Sequence, residues 1–365
     1  MTVENGAQGI YLYFSKPTIS KCVIRYSKGP GGAAISGSSS LAIIENCVIR
    51  ENRAGGISGC DGPIQYCEIR ENSGSGISSC HGLVSDCNVV KNGGFGFGTC
   101  DGEIRACNAS GNTNSGIYSC TGQIRECVII GNGSTGIVDG REILNCLISG
   151  NNGDGCSYNI IGGNNTVTIT NCTIIGNTLR GVQSSASASS QVIANNIIVK
   201  NGQYGVVSNA NVTLKYNNIW GNLSGNYSVV APGTTDLHVN PLFTLDGYWD
   251  IGNKWIEGDY RLKSVAGHWT TAGWVSDTVT SPCIDAGDPT GSYFIEPMPN
   301  GHRINQGYDG GTIYASKSPY GPEPYCSKSI PGDVNLDCQL NFTDFAIIAT
   351  HWLECNLQPQ SACWQ

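Results

Sequence analysis

The chain has 365 residues, of which 50 are glycine and 13% are charged, and its formal net charge is −8. That acidic balance argues against a nucleic-acid partner, and no run of 18 apolar residues is present to span a membrane as a helix. High glycine and low charge suit many tight turns lined by neutral polar side chains, and the composition reads as that of a secreted, extracellular protein, with no signal peptide ahead of its first coil.

Residues 1–46 open irregularly: Cys22-Val23-Ile24-Arg25 has the form of a strand, and Gly29–Ser40 reads as a loop. From Cys47 one pattern recurs: Cys, any residue, an aliphatic residue, two more residues, Asn. It starts at Cys47, Cys67, Cys87, Cys107 and Cys127, 20 residues apart, and again at Cys146 after 19. A second column, Cys60, Cys80, Cys100 and Cys120, keeps the period, and glycine follows two residues after each member. Between the columns lie steps such as Gly56-Ile57, Gly76-Ile77 and Gly96-Phe97. A period of this size means stacked supersecondary units. Within a unit the apolar residues alternate, Cys47 and Ile49 to one side, Val48 and Arg50 to the other, which is the period of a strand. Each unit holds three short strands, and stacked units form parallel sheets with a rung every ~4.8 Å. The recurring Asn52, Asn72, Asn92, Asn112, Asn132, Asn151, Asn177, Asn201 and Asn222 suit inward turn positions that hydrogen-bond the coils above and below.

In this repeat the chain resembles the right-handed parallel β-helix of secreted, pectate-lyase-like bacterial proteins. The resemblance implies an all-β fold. A parallel β-helix with about 20 residues per coil occupies residues 1–230. A β-rich C-terminal capping segment (231–318), a Pro-rich linker (319–331) and a small α-helical calcium module (332–365) follow. Of the 18 cysteines, 13 lie in the solenoid, where they serve as small inward packing residues; disulfides along a column remain open. After Cys146 the units lengthen, and Asn159–Asn165 and Ser184–Ser190 read as protruding loops.

The outward face of the Cys-x-aliphatic strand turns from Arg50, Glu68 and Arg70 to Val128, Ile130, Leu147, Ile175, Ile197 and Val199. Such a stripe needs a cover: either the C-terminal segment folding back, or a second copy in a homodimer. Trp249, Trp255, Trp269 and Trp274 are expected to cap the open end of the solenoid, with a sugar-stacking platform as the other reading. The stretches 281–288 (SPCIDAGD) and 307–312 (GYDGGT) resemble the segment that follows the coils in secreted bacterial β-helix proteins.

The tail resembles one dockerin-type repeat, a relative of the EF-hand. Asp333, Asn335, Asp337, Asn341 and Asp344 stand at positions 1, 3, 5, 9 and 12, and Gln339 offers its carbonyl at position 7. The resemblance implies one Ca²⁺, a helix over Phe342–Leu353 opened by an Asn341/Asp344 capping pattern, and a cohesin-like or cell-surface partner. Cys338 replaces the turn glycine, and a single repeat is present. Cys326, Cys338, Cys355 and Cys363 suggest two disulfides in place of a second repeat.

No GxSxG or HExxH motif occurs. Asp61, His81 and Asp101 each follow a second-column cysteine and must stack on successive rungs. Glu103, Arg105 and Arg125 face outward on the strand that follows. In pectate-lyase-like proteins acidic residues and an Arg or Lys on such a face bind calcium and abstract a proton beside a uronate carboxylate. The expectation is a polysaccharide lyase, or a glycoside hydrolase using the two aspartates. Ordinary Asp-Gly turn chemistry would instead leave a non-catalytic surface or matrix protein that binds glycan.

Overall fold

The computed structural model describes residues 1–6, 9–28, 32–158, 166–185, 190–209, 211–252, 254–319, 331–334 and 339–350. Three parallel sheets of 11, 11 and 10 strands run the length of a β-solenoid. The first sheet holds the Cys-x-aliphatic strands, from Thr2–Glu4 through Val48–Arg50 to Asn218–Trp220. The second runs from Ile10–Tyr13 to Gly225–Ser228, and the third from Thr18–Ser20 to Asn211–Lys215. Every neighbouring coil pairs in register, as Ile49, Ile69 and Val89 do.

The sequence period has a conformational origin. Each coil turns three corners, and each corner is one residue in the left-handed region followed by one inward side chain. In the coil around Cys87 the corner residues are Asp86 (φ 53°), Lys91 (φ 55°) and Thr99 (φ 52°). The inward residues after them are Cys87, Asn92 and Cys100, all fully buried or nearly so. These residue types share a donor just beyond Cβ, which reaches backbone carbonyls around the corner. The thiols of Cys87, Cys107 and Cys127 each donate to the carbonyl two residues back, at 3.2 Å. Asn72 Nδ2 donates to the Ile49 carbonyl at 3.1 Å and to Asn92 Oδ1 at 3.0 Å. The asparagine column continues without a break from Asn52 to Asn222. Past Cys172 the first cysteine column becomes Asn196, Asn217 and then Asp236, bonded in the same way.

All fourteen cysteines from Cys22 to Cys283 are buried free thiols. Within the columns neighbouring cysteines are one rung, ~4.8 Å, apart, and no disulfide joins them among the described residues. The four tail cysteines lie outside the described residues.

Several expectations are corrected. The segment read as a loop over Gly29–Ser40 contains the strand Ala33–Ser40, paired on both sides, and the solenoid starts at Thr2. Ser184 ends a strand and points inward, and Ser190 begins one. Positions 159–165 and 186–189 lie outside the described residues. The tryptophans do not close the end of the solenoid. That end is covered by residues 227–237, where Tyr227 and Val230 pack on the core and Leu237 bridges Asn218. Trp255 instead packs with Phe243, Tyr260, Leu262, Cys283 and Ile284 on Leu147, Ile175, Ile197 and Val199. The physical reason is the stripe itself: the apolar surface needing cover lies on the flank of the first sheet. The chain covers it with its own C-terminal layer.

Three corner asparagines fasten this layer. Asn145 Nδ2 donates to the carbonyls of Tyr308 (2.9 Å) and Gly310 (2.7 Å), and Asn171 Nδ2 to that of Asn305 (3.1 Å). Asn195 Oδ1 accepts from the amide of Asp288 at 2.7 Å. The two recognisable C-terminal stretches are therefore the ones that grip the solenoid.

In the tail, the helix Phe342–Thr350 is present. Asn341 caps it, accepting from the Thr343 amide at 2.7 Å, and Asp344 accepts from the amides of Asn341 (2.8 Å) and Val334 (2.9 Å). Positions 351–353, the linker over 320–330, and Asn335, Asp337 and Cys338 lie outside the described residues.

Candidate functional site

The third corner of each coil builds the candidate site. A left-handed residue is followed by an inward cysteine, and the next residue emerges on the surface: Asp61, His81, Asp101, Thr121. A glycine follows, because the chain runs against the coil before it. A Cβ on Gly82 would lie 2.4 Å from the Asp61 carbonyl oxygen, and one on Gly102 would lie 2.0 Å from that of Gly82. The backbone is thereby fixed, and the side chains form a column along the axis.

His81 stands between the two aspartates. Its amide donates to Asp61 Oδ1 at 3.2 Å, and its Nδ1 lies 3.0 Å from Asp101 Oδ2. Thr121 Oγ1 donates to Asp101 Oδ1 at 2.6 Å. The His81 and Asp101 side chains are 53% and 55% exposed. An imidazole oriented through Nδ1 by a carboxylate presents Nε2 outward, a geometry suited to proton transfer.

On the adjoining third sheet Arg105 pairs in register with Ser85 and Arg125. The two arginines differ. Arg125 contacts Glu103 through Nε and Glu126 through a terminal nitrogen at 3.2 Å, and is therefore engaged. Arg105 is half-buried and forms no ion pair among the described residues. Glu103 is taken up by Arg125, and Gln123 donates to Glu142 at 2.8 Å. So Asp61, His81 and Asp101 come together as the spacing predicts, with Arg105 as the available cation, while Glu103 and Arg125 neutralise one another. Among the described residues no three His, Cys, Asp or Glu side chains converge on a metal-sized centre.

Sequence reasoning passed over the corner asparagines Asn145, Asn171 and Asn195, which sit where the preceding coils carry Tyr66, Asp86, Ala106 and Glu126; that run of asparagines was the available signal. Trp269 and Trp274, read from the sequence as an end cap or a sugar-stacking platform, lie outside the buried layer.

The disaggregatase-related family model matches residues 103–287, and that of the right-handed β-helix region matches residues 1–121. No curated protein matches the chain. Among solved structures, a crystal structure of pectate lyase Pel9A aligns at 14% identity over 84% of this chain and 68% of that one, with a TM-score of 0.32. At that score no residue of the lyase is carried across.

Proposed function

The chain belongs to the disaggregatase-related family, and from that premise we propose that it is a secreted, carbohydrate-active β-helix protein that cleaves an acidic extracellular polysaccharide. Cutting a polymer that holds an aggregate together is one way to take the aggregate apart. The observation that carries the reading is His81 held between Asp61 and Asp101, with Arg105, which forms no ion pair among the described residues, on the next strand.

The chemistry is a β-elimination. Arg105 binds the uronate carboxylate and acidifies the neighbouring C–H. His81, oriented by Asp101, takes that proton at Nε2. The C–H electrons form a C=C bond as the C–O bond to the leaving sugar breaks, and the leaving oxygen is protonated by the imidazolium or by water. Hydrolysis by Asp61 and Asp101 fits less well, because His81 fills the space between them.

The tail supplies calcium binding and attachment. Asp333 and Asp344 are buried carboxylates at either end of the loop. With Asn335, Asp337, Asn341 and the Gln339 carbonyl they make a hard, all-oxygen donor set of the kind Ca²⁺ takes. The ion neutralises the gathered carboxylates, and the ordered helix is offered to a cohesin-like or cell-surface partner.

The test is a panel of acidic and neutral polysaccharides, with and without calcium, read for unsaturated products and for reducing ends. Unsaturated products from an acidic polymer, lost at least ~100-fold in His81→Ala and in Arg105→Ala without loss of fold, are expected. Reducing ends without unsaturation would replace the lyase by a hydrolase. Binding with no product of either kind would leave a non-catalytic glycan-binding matrix protein, the second reading, which the open exposure of the column favours.

A further inference from the structure

Two of the four clustered tryptophans are not used by the buried layer. Trp269 and Trp274 face each other across the hairpin formed by His268–Thr270 and Gly273–Val275. Directly opposed residues of an antiparallel pair project from one face, so both indoles share a side. Tyr314 joins them, its ring 4.8 Å from that of Trp269. Trp274 is 39% exposed and Tyr314 44%, so both rings keep surface that a ligand can cover.

The hairpin is held rigidly from behind. Asp277 Oδ2 lies 2.7 Å from His268 Nδ1 and accepts from the Ser264 amide at 2.8 Å. The Lys317 amide donates to the Gly267 carbonyl at 2.9 Å, and Thr270 Oγ1 closes the turn onto the Gly273 carbonyl at 2.7 Å. An aromatic surface fixed in this way loses little freedom when a ligand docks.

Two cations lie over its rings. Lys317 Nζ sits 4.4 Å from the centre of the Trp274 ring, and the Arg261 guanidinium 5.4 Å from that of Trp269. Arg261 is bonded to both oxygens of Asp259. Lys317 forms no ion pair among the described residues, and partial burial lowers its pKa, a cost that an arriving anion would relieve.

We propose that Trp269, Trp274, Tyr314 and Lys317 form a docking platform for an acidic glycan chain, separate from the charged column. The aromatic rings take the C–H face of a sugar, and the ammonium takes its carboxylate. The inference rests on the acidic-polysaccharide reading for the class of polymer and on none of the residues of the column.

Native electrophoresis of the full chain through gels containing polygalacturonate, alginate or a neutral galactan tests it. Retardation by an acidic polymer is expected, weakened about tenfold in Trp274→Ala and Lys317→Glu and restored in Lys317→Arg. Cleavage is read separately, as unsaturated ends released in solution, so that a failure of cleavage and a failure of docking are told apart. Four results would overturn the platform: no retardation of the unmodified chain, retardation only by the neutral galactan, undiminished retardation of Trp274→Ala and Lys317→Glu, or a dimer of this chain that Trp274→Ala dissociates.

Discussion

At the residue scale, the corners decide what each position tolerates. An L-residue in the left-handed region costs about 1–2 kcal/mol, and this solenoid accepts that cost repeatedly, at Glu71, Asp86, Lys91 and Thr99 among others. It does so because the residue after each corner completes a column whose groups would otherwise be buried unpaired. Glycines fall into two kinds as a result. Gly131 has φ +62° and open space around its missing side chain, whereas a Cβ on Gly102 would meet backbone at 2.0 Å. Gly131→Ala should therefore cost only the corner strain, about 1–2 kcal/mol. Gly102→Ala must push two coils apart and should cost at least ~3 kcal/mol. Denaturant melts of the two variants check this, and equal destabilisation would contradict the close approach.

At the element scale, the C-terminal layer carries the buried carboxyls and so should carry the pH dependence. Burial raises Glu296 to about 8, against backbone bonds from Asn305 and Gly311 that lower it. Burial raises Asp309 to about 7, opposed by Arg261 and Tyr308. A raised carboxyl binds more protons folded than unfolded, so its stability is fully present below the unfolded value and lost as pH climbs through the folded one. Asp288 works in the other direction: its bond to Lys215 lowers it to about 2, and its contribution is lost as pH falls toward that value. Melting temperature should be highest near pH 4–5 and fall continuously to pH 8. In Glu296→Gln the decline should be shallower, and a profile unchanged by that substitution would contradict the assignment. This layer was only half legible in the sequence. The stripe from Val128 to Val199 announced that a cover was needed, but tryptophan count cannot distinguish the flank of a solenoid from its end. The strand Ala33–Ser40 was misread because serine, glycine and alanine carry little of the apolar alternation that marks strands. The column Asp61–His81–Asp101 was legible because stacking in a solenoid is arithmetic on the period. The pairing of Arg125 with Glu103 was not, because it runs diagonally between coils and depends on how two long side chains turn.

At the scale of the whole molecule, the proposals for the charged column, the aromatic face and the tail concern three separate parts of one chain. Titration calorimetry of the full chain with calcium should show binding at the weak, extracellular end of the range, on the order of 10⁻⁴ M or somewhat tighter. Asp333→Ala should abolish that heat while leaving the β-sheet signal unchanged. Heat that persists in Asp333→Ala would move the ion elsewhere, and none at millimolar calcium would leave a helix capped only by Asn341 and Asp344.

The three-cornered coil also makes length a discrete quantity. Because every corner must be followed by its column residue, the 19-residue step from Cys127 to Cys146 still makes one whole coil, with Asn132 bonded to Asn151, and excising a full period, such as 107–126, joins Ala106 to Cys127 and leaves each column continuous. The molecule would then shorten by one step of ~4.8 Å. Axial distances between coils can thus be changed only in whole steps, which makes the solenoid a graduated rod along which surface groups are spaced by counting coils.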